Sequence, residues 1–250
     1  MKKVIVGICK LCKKEKPLTY EHIPPKSAFN NNTKFYEVNS KDYYQNAMDY
    51  SEGKLKPKSR IEQGGFGNHC LCDECNGYLG KKYVRDYKKF AEISYGIINQ
   101  YQDAKCYEFD VSDINLLKFI KQIIAIFICC NNSNFTKTYD GLIEFVMDEN
   151  SNILSDRYKV YMYLNHEGNI RNGNIMYTNL CGAMCEFTFK PFGFVLNIDN
   201  PKPILQLSDV TNFKYYNSEI KYQKLMIKLN KYPTILPFPL DYRSKDEIKS

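Results

Sequence analysis

The chain has 250 residues and a mass of 29.3 kDa, with 44% hydrophobic and 25% charged residues, a mean hydropathy of -0.48 and a formal net charge of +7. Such a chain is long enough for one large or two small domains with real cores, and its composition excludes collagen-like and wholly disordered proteins. The best apolar stretch, Phe119 to Cys130, carries Lys121 and Gln122 and is too short to span a membrane, while the opening MKKVIVGICK lacks the apolar length of a signal peptide, so a cytoplasmic protein is expected.

In chain order, Val4 to Ile8 reads as a short strand that delivers Cys9 and Cys12 on a turn. From Ala28 to Gly67 the sequence is polar without a sustained period, which predicts a long insertion or mobile loop. Between Gly77 and Gln102, Leu79, Tyr83, Tyr87, Phe90, Ile93 and Ile97 recur at spacings of three and four, predicting one amphipathic helix. The segment Asp113 to Cys130 is apolar on most sides and predicts a buried helix. Beyond Ser151 the pattern becomes strand-like: Tyr158 to Leu164, Ile175 to Leu180, Phe187 to Lys190 and Gly193 to Ile198, the last two around a Pro191-Phe192 turn. His166 falls in an expected hairpin turn, and Pro233, Pro237 and Pro239 predict an extended tail.

Ten cysteines in a large chain of a reducing compartment point away from a disulfide framework. Four fall in two pairs, Cys9-x-x-Cys12 and Cys72-x-x-Cys75, the spacing of a closed tetrahedral Zn²⁺ site with four thiolates. The 59 intervening residues do not forbid such a site, because loop-closure entropy grows only logarithmically with length. Cys129 and Cys130 belong to the buried helix, and Cys181 and Cys185 have no second pair, so all four are expected to be core sulfur.

Charge is uneven. Residues 1–90 hold 18 basic against 10 acidic side chains, whereas residues 91–250 hold 17 against 18. A localised positive field suits a polyanion, since neutralised phosphates release counterions, although a solvated lysine-rich surface has the same composition. Lys81, Lys82, Arg85, Lys88 and Lys89 share the polar side of the first helix, Lys26 follows Pro24-Pro25, and Arg60, Gln63 and Gly64-Gly65 form a candidate substrate-facing loop.

Between the cysteine pairs lies Leu18-Thr19-Tyr20-Glu21-His22-Ile23-Pro24-Pro25-Lys26, and Asn76 follows Cys75 directly, with Leu79-Gly80 just after. This order of CxxC, Glu-His-Ile-Pro-Pro-Lys and CxxC-Asn resembles a subgroup of the HNH nuclease superfamily. It is also similar to the branch of phage junction resolvases, where two zinc pairs bracket an Asp-His and an Asn follows the last cysteine. The resemblance covers roughly residues 7–90. It implies a ββα-metal fold in which a hairpin bears Glu21-His22 and a helix bears Asn76. The expected fold class is therefore α+β: a zinc-stapled HNH domain over residues 1–94, then an α+β domain over 95–250 with a helical segment and mainly antiparallel sheet.

The implied chemistry is metal-dependent phosphodiester hydrolysis in DNA with little sequence specificity, in a phage-defence or mobile-element setting. His22 serves as general base, while Glu21 and Asn76 supply hard oxygen ligands for a catalytic Mg²⁺ or Mn²⁺. The family's middle position, which fixes the ring of the base, falls on Asn68 or His69. Lys26, Arg60, Lys81, Lys82 and Arg85 are candidate phosphate contacts. RNA is an alternative substrate, a non-catalytic zinc module that binds nucleic acid or protein is an alternative function, and the C-terminal segment is the place for a homodimer or protein partner.

Overall fold

The computed structural model describes residues 4–38, 45, 46, 48, 49, 54–56, 58–165, 170–178, 182–200, 202–217 and 225–232. The chain is mixed α+β, and its sheets are antiparallel. The first sheet joins β1 (Val6–Ile8), β2 (Glu15–His22) and β5 (Gly67–Cys72) in the order β1-β2-β5. A separate two-stranded sheet pairs β3 (Phe35–Val38) with β4 (Ser59–Glu62), so the segment expected to be a loop without strands carries a hairpin where it is described.

Helix α1 (Asp73–Lys82) follows β5 without a connecting loop, and α2 (Val84–Gln100) follows after one residue. Asp73 and Glu74 in the first turn and Lys81 and Lys82 in the last complement the α1 dipole. The single helix expected over 77–102 is thus two, broken at Tyr83. This residue is fully buried, and its hydroxyl donates to the Val146 carbonyl oxygen at 2.5 Å, a tertiary demand that local periodicity does not register.

Helix α3 (Leu116–Cys130) is the spine of the molecule. Asn115 caps it by accepting from the Lys118 amide at 3.1 Å, and every residue of the helix but Lys118 is buried. Burying an Ile, Leu or Phe side chain contributes about 1.5–3 kcal/mol, so this run supplies a large share of the drive to fold. Two short helices follow, α4 (Ser133–Thr138) and α5 (Gly141–Met147).

The largest sheet has the order β11-β7-β10-β9-β8, built from β7 (Tyr158–Leu164), β8 (Arg171–Thr178), β9 (Gly182–Phe189), β10 (Phe192–Ile198) and the short β11 (Ser208–Asp209). The expected strands over 158–164 and 193–198 match β7 and β10 closely, whereas β8 and β9 extend beyond what alternation suggested. Strand β6 (Cys106–Val111) pairs with β12 (Leu225–Asn230), a pairing across more than a hundred residues that the sequence reading did not anticipate. His166, Cys181 and the proline-containing tail lie outside the described residues.

One apolar cluster runs from Cys9 and Leu71 through Tyr87, Phe90 and Phe119 to Phe192 and Phe194. Position 94/95, the expected domain boundary, falls inside α2. Among the described residues, no helix is long and apolar enough to cross a membrane.

Candidate functional site

The two CxxC pairs converge. Cys9 follows β1, and the chain turns back through Lys13, whose φ of 58° lets the Lys13 amide donate to the Cys9 carbonyl oxygen at 2.9 Å. Cys72 ends β5 and Cys75 sits in the first turn of α1. The Lys10 amide donates to the Cys70 carbonyl oxygen at 3.0 Å, fixing the turn against β5. All four sulfurs lie within 4.8 Å of one another, and Cys12 Sγ is 3.9 Å from Cys72 Sγ. A tetrahedral ZnS₄ site with its usual bond length separates the sulfurs by about 3.8 Å, so the four cysteines fit a metal such as zinc. Burial pushes the thiols of Cys9 and Cys75 up, whereas at Cys12 burial is outweighed by hydrogen bonds from the Lys14 backbone and the neighbouring thiols, which lower it; a bound cation would favour the thiolates.

Lys10, inside the first pair, points away from the thiols. Its ammonium donates to the carbonyl oxygens of Cys129 at 2.6 Å and Asn131 at 2.5 Å, at the C-terminus of α3 where a cation is favoured.

Beside the thiol cluster, Tyr20, Glu21, His22, Pro25, Lys26, Ser27, Asn31, Asn76, Gly80 and Val84 line an open cleft of about 490 Å³. Pairing of β2 with β5 aligns Leu18 with Cys72, Glu21 with Asn68 and His22 with Gly67, with a register shift between Thr19 and Tyr20. The Thr19 hydroxyl donates to the Leu71 carbonyl oxygen at 3.0 Å, so its oxygen accepts from Asn76 Nδ2 at 3.0 Å. That chain of donors fixes which way the Asn76 amide faces and leaves Oδ1 as its unengaged acceptor.

Glu21 is 8% exposed, and loss of hydration on burial raises its carboxyl to about 7. A divalent cation beside such a carboxylate would favour the charged form.

His22 Nε2 lies 3.1 Å from the Gly64 carbonyl oxygen. A carbonyl only accepts, so Nε2 carries the hydrogen and Nδ1 of the neutral ring keeps its lone pair. The Tyr20 hydroxyl donates to the next carbonyl, that of Gly65, at 2.9 Å, and the Tyr20 ring packs edge-on against His22.

Both glycines have positive φ, 99° at Gly64 and 96° at Gly65. A Cβ on Gly65 would lie 2.5 Å from the Asn30 carbonyl oxygen and 2.8 Å from His22 Cδ2, so only glycine lets the turn approach the ring. Asn30 holds the turn from within. It is fully buried, donates from Nδ2 to the carbonyl oxygens of Pro24 and Phe66, and accepts the Phe66 amide on Oδ1, each at 2.7 Å.

Of the residues singled out from sequence, Glu21, His22, Lys26 and Asn76 therefore share one cleft. Asn68 and His69, expected to orient the His22 ring, face elsewhere: Asn68 Nδ2 donates to the Cys129 carbonyl oxygen at 3.2 Å, and the His69 ring packs edge-on against Tyr20. The ring partner is the backbone of Gly64 instead. Arg60 pairs with Glu62 at 2.5 Å on β4, and Lys82 pairs with Glu149. Lys81 and Arg85 are exposed on α1 and α2, outside the cleft lining. Thr19, Tyr20 and Asn30 were missed; a hydroxyl two residues before Glu21 was the one local hint. No protein-family model, curated protein or solved structure matches this chain.

Proposed function

We propose that the protein is a metal-dependent endonuclease of the HNH type that hydrolyses phosphodiester bonds in DNA with little base specificity. The observation that carries this reading is the single cleft lined by Glu21, His22, Lys26 and Asn76, built on two antiparallel strands and a helix pinned by four clustered thiols. The chemistry of the donors fits: a buried carboxylate and an amide oxygen held outward by Thr19 are hard ligands of the kind Mg²⁺ or Mn²⁺ takes.

In the reaction, His22 Nδ1 accepts a proton from a water as its oxygen attacks the scissile phosphorus. The Gly64 carbonyl holds the ring in the tautomer that permits this. Glu21 and Asn76 would hold a divalent cation, which when bound would supply Lewis acidity toward the phosphate and leaving oxygen. As the phosphorus to leaving-oxygen bond breaks, solvent protonates that oxygen. Lys26 at the rim attracts the phosphate backbone, which carries no sequence information. A structural zinc in the thiol cluster would keep β2, β5 and α1 in register. One such cleft cuts one strand per event.

The test is incubation of the purified full chain with supercoiled plasmid and Mg²⁺ or Mn²⁺, against His22→Ala and against an RNA of matched length. Metal-dependent nicking abolished in the variant supports the reading. An intact plasmid under both metals refutes it, and cleavage of RNA alone would move the substrate class.

A further inference from the structure

The loop leaving β2 carries a feature that phosphodiester hydrolysis does not use. Ala28 and Asn30 are buried, at 1% and 0% exposure, while Phe29 between them is turned outward with 40% of its surface exposed. It is held there at a φ of 67°, a conformation that a bulky side chain rarely adopts and that costs free energy. Its ring stacks on Tyr95 of α2, centroids 4.6 Å apart and planes 28° from parallel, and Lys190 Nζ lies 4.8 Å from the Tyr95 centroid.

This aromatic pair adjoins residues of the cleft, although neither ring lines it. Ser27 and Asn31, on either side of Phe29 in sequence, line it, as does Val84 at the start of α2. Val84, Lys88 and Tyr95 follow one another at four and seven residues, hence along one stripe of the helix. The stripe runs about 16 Å from cleft to Tyr95, the reach of a few nucleotides. Lys26 and Lys190 place positive charge along this path, while the charge of Lys88 is offset by Glu92 at 3.5 Å.

Resting on the nuclease reading, we infer that the exposed ring of Phe29, backed by Tyr95, forms a stacking platform for an unpaired base of the strand held in the cleft, so that the favoured substrate is single-stranded or locally unwound nucleic acid. A paired base presents only its edges to the protein, whereas an unpaired base offers a face to an aromatic ring, with lysines meeting the flanking phosphates.

The test uses the full chain carrying His22→Ala, which leaves oligonucleotides uncut, and measures fluorescence anisotropy with labelled single-stranded DNA, single-stranded RNA and the matched DNA duplex at fixed salt. Phe29→Gly removes the ring and relieves the positive φ, and Tyr95→Leu keeps apolar volume without a π-face, so neither threatens the fold. The parent should prefer single strands, and each variant should bind them about tenfold more weakly while duplex affinity stays within about twofold. The DNA and RNA arms say which strand is taken. Equal losses for single strand and duplex, unchanged single-strand affinity in both variants, or a parent that prefers duplex would overturn the platform. A chain that binds single strands through these rings yet nicks no plasmid would keep the platform and retire the nuclease.

Discussion

The Gly64-Gly65 turn offers a matched pair of substitutions. Gly64→Ala places a methyl in open space and meets only the cost of a positive φ, about 1–2 kcal/mol. Gly65→Ala meets the same cost and also drives its methyl into the Asn30 carbonyl oxygen at 2.5 Å and the His22 ring at 2.8 Å. Relief requires the turn to withdraw, which breaks at least one bond of the buried Asn30 amide, a further 1–3 kcal/mol or so. The expected totals are roughly 1–2 kcal/mol for Gly64→Ala and about 2–5 kcal/mol for Gly65→Ala, or, at mid-range, melting temperatures lower by about 4 °C and about 10 °C in a chain of this size. Displacing the His22 ring by an ångström should lower the nicking rate about a hundredfold in Gly65→Ala. Differential scanning fluorimetry and plasmid nicking at saturating Mg²⁺ read the two quantities. Equal penalties for the two variants, or a Gly65→Ala protein that nicks at the parental rate, would refute the idea that this turn positions the base.

Cys72→Ser should abolish bound zinc and unfold the β1-β2-β5 sheet, whereas Cys106→Ser, on β6, should retain one zinc per chain by elemental analysis. Thr19→Val frees the Asn76 amide to rotate; nicking should fall about tenfold or more while melting shifts only by the equivalent of roughly 1–2 kcal/mol. Lys121, fully buried in α3, has its ammonium lowered to about 8 by burial. Below that pH it is charged in both folded and unfolded chains; above it the folded chain holds fewer protons, so stability should rise between about pH 8 and 10, by up to roughly 3 kcal/mol. Denaturant titrations at the two ends of that window should show this rise in the parent and its absence in Lys121→Met.

The thiol pairs were legible because four ligands at a fixed short spacing leave few other purposes, and α3 because an apolar run of that length has to be buried. The contribution of Asn30 was not legible. It stands in a polar stretch and acts through the carbonyls of Pro24 and Phe66, the latter 36 residues away. The same holds for the break at Tyr83, where a hydrogen bond to α5 outweighs a helical period that continues on both sides. Asn68 and His69 were plausible by proximity to the second pair, but strand pairing turned one toward α3 and the other onto Tyr20, and a backbone carbonyl, invisible to residue type, took the ring.

The Cys129 carbonyl oxygen serves two donors at once, Lys10 from the first cysteine turn and Asn68 from β5. That shared acceptor makes the N-terminal third poor material for transplantation. A fragment ending at residue 94 would forfeit α3, strip cover from Cys70, Leu71, Tyr87 and Phe90, and strand an ammonium without its oxygens. Any graft of the thiol-pinned sheet onto another chain must carry the long apolar rod along with it.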